Sequence, residues 1–129
     1  MTLPTHLSEC IAKTALNLVA DERQRQINEK GWTYEHDDQH GGEDLAAAAA
    51  LYLLPSWMNP DVVTCEDGVM EVVPLSQVIG RGAWEGISRD HDDPATDLDL
   101  RIDTVVRGVA LGLAELERLM RLREVSDGN

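Results

Sequence analysis

Four carboxylates, Glu22, Glu43, Asp99 and Asp103, fall at the ends of apolar rows at helical spacing. Between the first two lies GWTYEHDDQHGG, Gly31–Gly42, dense in His and Asp. Oxygen ligands of this kind suit Mg²⁺, whose inner shell combines carboxylates with water and substrate phosphates. An ion so held polarises a phosphoanhydride and lowers the pKa of an attacking water. Mn²⁺ fits the same hard-ligand set. His36, Asp37, Asp38 and His40 offer a different chemistry. HxxxH on a helix aligns two imidazoles for Zn²⁺ or another transition metal. Gly41-Gly42 favours a loop instead, rigidified by its own hydrogen bonds.

Register decides which acids are worth following. From Ile11 through Ala15 and Leu18, one helix face leads to Glu22, then Gln26 and Glu29. Glu22 either marks the point where the helix leaves the core or points into a cleft, where its charge needs a cation or a hydrogen-bond network. Glu43 opens the row Glu43, Ala47, Ala50/Leu51, Leu54. Asp99 and Asp103 precede Val106, Ala110 and Leu113. Each of these is also explained by an acid complementing a helix N-terminus. Their recurrence on three helices is what raises the expectation of a shared acidic site. Arg23, Arg25, Lys30 and Arg107 are candidate phosphate or substrate contacts, with surface ion pairing as the alternative. Trp32 either anchors the connection or stacks on a base, and Tyr34 is a second candidate for the base pocket. His36 or Asp38 is placed to orient a water.

The elements that must carry these groups follow from pattern and punctuation. The first helix is expected over Ser8–Lys30, with Ser8 as N-cap and Gly31 as stop. A second is expected over Glu43–Leu54, alanine-rich and ended by Pro55. Val62–Val73 carries two β-branched runs around Asp67-Gly68, a hairpin signature. The last helix is expected from Asp97 or Asp99 to Arg123. Its apolar face is read as Ile102, Val105/Val106, Val109, Leu113, Leu116 and Met120, with Glu115, Glu117, Arg118, Arg121 and Arg123 on the solvated side.

Composition sets the limits. The 129 residues suit one domain, and 43% apolar content with only three Trp, two Tyr and no Phe means that Leu, Val and Ala build the core. With 24 Asp+Glu against 11 Lys+Arg, the formal charge is −13. Such a surface repels a phosphate backbone, so direct nucleic-acid binding is not expected. Cys10 and Cys65 have no metal-ligand spacing and read as free thiols of a reducing compartment. No 18-residue apolar run or signal pattern is present, so the expectation is a cytoplasmic protein without membrane insertion.

ERQRQINEKGWTYEHDDQHGGEDLAAAAALYL resembles a family of small phage and prophage proteins. They share an Arg/Gln-rich helix end, a GWT…HDD.H segment and an acid leading an alanine-rich helix. VVRGVALGLAELERL resembles their closing helix, and together these blocks cover about half the chain. The arrangement more remotely resembles the all-α MazG-like nucleotide pyrophosphohydrolases, whose helices carry ExxE and ExxD pairs for Mg²⁺. Here Arg25 stands three residues after Glu22 and Ala46 three residues after Glu43, so neither pair is intact. The second resemblance implies metal roles for Glu22, Glu43 and Asp103, with Asp99 in reserve, and a homo-oligomer. The expected architecture is a single all-α domain over residues 1–129, a compact helical bundle with a small β-hairpin in an irregular insertion at about 56–96. The expected activity is Mg²⁺-dependent cleavage of a nucleoside triphosphate to monophosphate and pyrophosphate. The alternative is an acidic phage protein that inhibits a host enzyme or nucleic-acid-binding protein. If phage-encoded, it works in the host cytoplasm.

Overall fold

Helix α1, Thr5–Lys30, is stopped by Gly31, which adopts the left-handed conformation at φ 72°. The next amide, Trp32 N–H, turns back to donate to the Gln26 carbonyl at 3.0 Å. The helix starts earlier than the expected Ser8. Pro4 stands at the N-cap without a side-chain cap, and its carbonyl accepts from the Leu7 and Ser8 amides. Proline lacks an N–H, so nothing is lost by placing it there. A Cβ at Gly31 would meet nothing within 4 Å. Gly31→Ala therefore isolates the backbone term and should lower stability by about 1–2 kcal/mol, read as a shift in the urea midpoint at unchanged slope.

The computed structural model describes residues 2–39, 44–55, 57–77 and 98–128. After α1 comes α2, Tyr34–Asp38, where a loop was expected. The Thr33 hydroxyl caps it by accepting from the His36 amide at 3.3 Å, and Glu35 and Asp37 lie in its first turn. Cap and acids together stabilise a helix start. Helix α3 spans Asp44–Leu53. The predicted first residue, Glu43, lies outside the described residues, as does most of the stretch before α4, Leu98–Asp127.

Strands β1, Asp61–Glu66, and β2, Val69–Pro74, form the predicted hairpin, antiparallel with Val62 opposite Val73 and Glu66 opposite Val69. Asp67 at φ 52° and Gly68 at φ 79° both take positive φ. A two-residue turn of that hand matches the natural twist of paired strands. Val73 is buried, while Val63, Met70 and Val72 are exposed. The result is an all-α bundle bearing a small two-stranded hairpin, as expected from sequence.

Helix α3 runs antiparallel to α4. Arg101, near the start of α4, donates to the carbonyls of Leu54 at 3.0 Å and Leu53 at 3.1 Å, at the end of α3. Terminal carbonyls have no partner within their own helix, and a cation complements that end of the dipole. Gly108 sets the closeness of the two helices. A Cβ there would lie 2.9 Å from Tyr52 Cβ and 3.0 Å from Leu53 Cγ. Leu45, Ala48, Leu51 and Tyr52 of α3 pack with Leu111 and Ala114 of α4 and with Trp32.

This packing corrects the expected inward face of α4. Thr104, Gly108, Leu111, Glu115 and Arg118 are buried, whereas Ile102, Val109, Leu116 and Met120 are exposed. The small residues face α3 because they admit close approach; the branched ones are left for another surface. Helix α1 departs from expectation in the same way. Its buried residues are Arg23 and Gln26, while Leu7, Ile11, Leu16 and Leu18 remain exposed. Among the described residues no helix is long and apolar enough to cross a membrane.

Candidate functional site

Buried polar groups collect at one end of the bundle, where α1 ends, α2 lies and α4 passes Glu115–Arg121. Of the buried polar and charged residues described, only Thr104 lies away from it. Arg23 is the centre. One guanidinium nitrogen donates to Asp37 Oδ2 at 2.8 Å and to Glu117 Oε2 at 3.3 Å. The other donates to the Trp32 carbonyl at 3.2 Å. The Asp37 side chain is only 1% exposed, and its other oxygen lies 3.2 Å from His36 Nδ1. Buried charges persist only when paired and hydrogen-bonded. The HDD segment is thus pinned through its first Asp to α1 and, by way of Arg23, to α4.

The flanking side chains form a second layer. His36 stacks on Trp32 with centroids 6.2 Å apart and planes inclined by 12°. Trp32 itself belongs to the hydrophobic core, which supports its anchoring role. Asp38 accepts from Arg121 at 2.7 Å. This bond raises the Arg121 pKa above its ordinary value, with burial opposing and the charges of Asp38, Asp37 and Glu117 assisting. The Arg121 guanidinium also lies 4.8 Å from the Tyr34 ring centroid, within cation–π range. Glu115 and Arg118, expected on the solvated face, are buried and joined at 2.7 Å.

Glu22 sits beside this network. Arg25 holds both its oxygens, Nε to Oε1 at 2.6 Å and Nη2 to Oε2 at 2.8 Å. The pair keeps Arg25 charged far above any working pH, chiefly through the hydrogen bond to Glu22. Gln26 Nε2 donates to Glu22 Oε2 at 3.1 Å. Gln26 is 1% exposed, yet its amide oxygen has no hydrogen-bond partner; Glu115 Oε2 is a second buried acceptor without one. Buried acceptors left unpaired are uncommon, and each is an atom that a water, an ion or a ligand can satisfy.

The remaining candidates are dispersed. Helices α1 and α4 run parallel. Ala12–Val19 lies along Arg101–Val109, and Arg23 reaches Glu117. Asp103 is therefore fourteen residues, or about 21 Å of helix rise, from the Glu22 level. Asp99 lies further still, so neither shares an ion with Glu22. Asp99 belongs to the first turn of α4, where an acid complements the dipole, and Asp103 follows one turn later. Among the described residues, no three His, Cys, Asp or Glu side chains come together as a metal-binding group. His40 and Glu43 lie outside those residues. Arg107 is half-buried on α4, toward its N-terminal half, and Lys30 is exposed in the last turn of α1.

Sequence reasoning placed Gln26 on the Glu22 face and offered Arg23 as a substrate contact, but did not foresee that Arg23, Gln26 and Glu115 are buried. A usable signal existed for Arg23: Val19, Arg23, Gln26 and Lys30 recur at helical spacing on a row that crosses the one followed at Gln26. The Asp37 partnership spans fourteen residues across a turn and has no periodic signature. The chain matches no family model, and comparison with curated proteins and with solved structures gives no match.

Proposed function

We propose that the polar end of the bundle is a divalent-cation site and that the protein is a nucleotide pyrophosphohydrolase acting there. The observation that carries this reading is the Glu22–Gln26 pair: a nearly buried carboxylate that accepts from the Gln26 amide nitrogen, and the amide oxygen of the same side chain, buried without a partner. A hard cation takes oxygen ligands of both kinds. Glu43, one residue before α3, is the further carboxylate proposed for the site. Arg25 then releases at least one Glu22 oxygen and becomes available, with Lys30, to phosphate. Tyr34, half exposed beside the Arg121 guanidinium, is proposed to contact the base.

In the reaction, water attacks the α-phosphorus, the bond from that phosphorus to the α–β bridging oxygen breaks, and pyrophosphate leaves. The bound cation supplies charge neutralisation on the phosphates. His36, whose Nδ1 faces Asp37, or Asp38 orients the water. With the acidic surface repelling free triphosphate, the metal complex is the species that binds.

The test is turnover. Purified protein with Mg²⁺ or Mn²⁺ should release pyrophosphate from at least one of a panel of canonical and modified nucleoside triphosphates. EDTA should abolish release, and the E22A/E43A variant should lose about a hundredfold or more, as expected when a charge-stabilising group is removed. No metal-dependent release across the panel rejects the enzyme; release unchanged in the variant rejects the site.

An acidic inhibitor of a host protein is the second reading. It is favoured by exposed apolar groups, Trp57 and the hairpin residues Val63, Met70 and Val72. It expects a stoichiometric partner whose binding survives EDTA and fails in a V63D/V72D variant that remains folded.

A further inference from the structure

We infer that the cleft between α2 and the last turns of α4 binds a small organic monocarboxylate, whose two oxygens take the Nε–Nη2 edge of the Arg121 guanidinium.

The cleft measures about 220 Å³ and is lined by Asp38, Arg118, Arg121, Leu122 and Val125. On one edge of a guanidinium, Nε–H and an Nη2–H point the same way and match the two oxygens of a carboxylate. Three arginines at this end of the bundle show how that edge is used. Arg25 gives both donors to the two oxygens of Glu22. Arg118 gives both to Glu115 Oε1, each at 2.7 Å. Arg121 gives only Nη2, to Asp38 Oδ1 at 2.7 Å, and its Nε is enclosed without a partner. An enclosed donor left unpaired is costly, so the edge can take one more oxygen than Asp38 supplies. Arg23 Nε is also unpaired, but that guanidinium is sealed in and already holds Asp37, Glu117 and the Trp32 carbonyl.

Asp38 marks where the ligand's first oxygen sits. Its side chain is 52% exposed, so it can turn out into water and yield Nη2, and exposed pairs of this kind are weak. The incoming carboxylate then replaces one ion pair by another and adds the bond to Nε. Tyr34 steadies the guanidinium plane, with its ring centroid 4.8 Å from the Arg121 Cζ.

Charge and size fix the class of ligand. Arg118 is neutralised by Glu115, so the cleft offers one cation once Asp38 has turned away. Asp37 and Glu117 act on Arg121 as well, and the chain carries a formal charge of −13. These conditions suit a single negative charge and disfavour the dianion of phosphate. Leu122 and Val125 supply an apolar wall, which favours a carboxylate bearing a short aliphatic group. Drug-sized ligands occupy clefts of about 300–1,000 Å³, so the occupant here is smaller. The lining includes neither Glu22 nor Gln26, and the inference stands apart from the cation site.

The test is a nuclear magnetic resonance titration of ¹⁵N-labelled protein with sodium isobutyrate at constant ionic strength, with EDTA present so that no divalent cation takes part. The Arg121 Nε–H resonance, assigned through its side chain to the backbone, should move and saturate. Neutral isobutyramide should leave it in place, and inorganic phosphate should bind more weakly than isobutyrate. Arg121→Lys, followed through the backbone amides of α4, should bind about tenfold more weakly, because an ammonium cannot make the side-on pair. Asp38→Asn should bind about two- to fivefold more tightly, the strength of the exposed pair that the ligand displaces. That variant and the comparison of acid with amide on wild type keep the test decisive even if Arg121→Lys fails to fold. No saturable shift, equal binding of isobutyramide, tighter binding of phosphate, unchanged affinity in Arg121→Lys, or weaker binding in Asp38→Asn overturns the inference.

Discussion

Asp37→Ala should destabilise the fold by about 3–5 kcal/mol, a cost typical of breaking a buried ion pair from one side. The carboxylate is almost fully enclosed and bonded to Arg23 at 2.8 Å. Removing it leaves a guanidinium that is itself 6% exposed, with Glu117 and the Trp32 carbonyl as its remaining partners. Arg23 Nε already lacks a partner, so the residual cation is poorly compensated. The neighbouring Asp38 is the built-in comparison. It pairs with Arg121 at a similar distance, but its side chain is 52% exposed, and exposed ion pairs contribute about 0–1 kcal/mol. Urea denaturation of the two alanine variants should therefore separate them by several kcal/mol. Equal losses would mean that the HDD segment is not clamped through Asp37.

Leu111→Ala should cost about 2–5 kcal/mol, the usual range for truncating a buried leucine where the surroundings close incompletely. Leu111 is 1% exposed and packs among the α3 side chains. Collapse is restricted there because α3 and α4 already meet closely at Gly108, one turn earlier. Leu122→Ala on the same helix, at a position 54% exposed, should change stability by no more than about 0.5 kcal/mol. If the two variants unfold at the same midpoint, the face of α4 turned to α3 is misassigned.

These two residues also show what was legible in the sequence. Hydrophobic period, Gly31 and Pro55 located the helices to within a few residues, because stop signals act locally through φ and the missing N–H. Asp67-Gly68 fixed the hairpin for the same reason. The inward face of α4 was not legible. The row with the largest apolar residues reads as core, but Gly108 and Ala114 face α3 because closeness, not side-chain size, governs that contact. Leucine and valine on the other face then await a surface that periodicity within one chain does not specify. The site divided similarly. Glu22 was found from its register. The Arg23–Asp37 pair was not, because it depends on how Gly31 and Trp32 turn the chain back, a tertiary consequence of local signals. His36 and the acids after it read as ligands by type; in the fold Asp37 is a structural counter-ion and Asp38 an exposed partner of Arg121.

The most direct measurement is a Mn²⁺ titration followed by electron paramagnetic resonance of the free ion. One divalent cation per chain should bind to wild type, with Mg²⁺ competing. Glu22→Gln should lose about tenfold or more in affinity, as should Gln26→Met, which removes the amide oxygen at similar volume. Glu124→Gln, on the exposed end of α4, should bind as wild type does. Binding that is absent, or that survives both Glu22→Gln and Gln26→Met, would contradict a cation site at the polar end of the bundle.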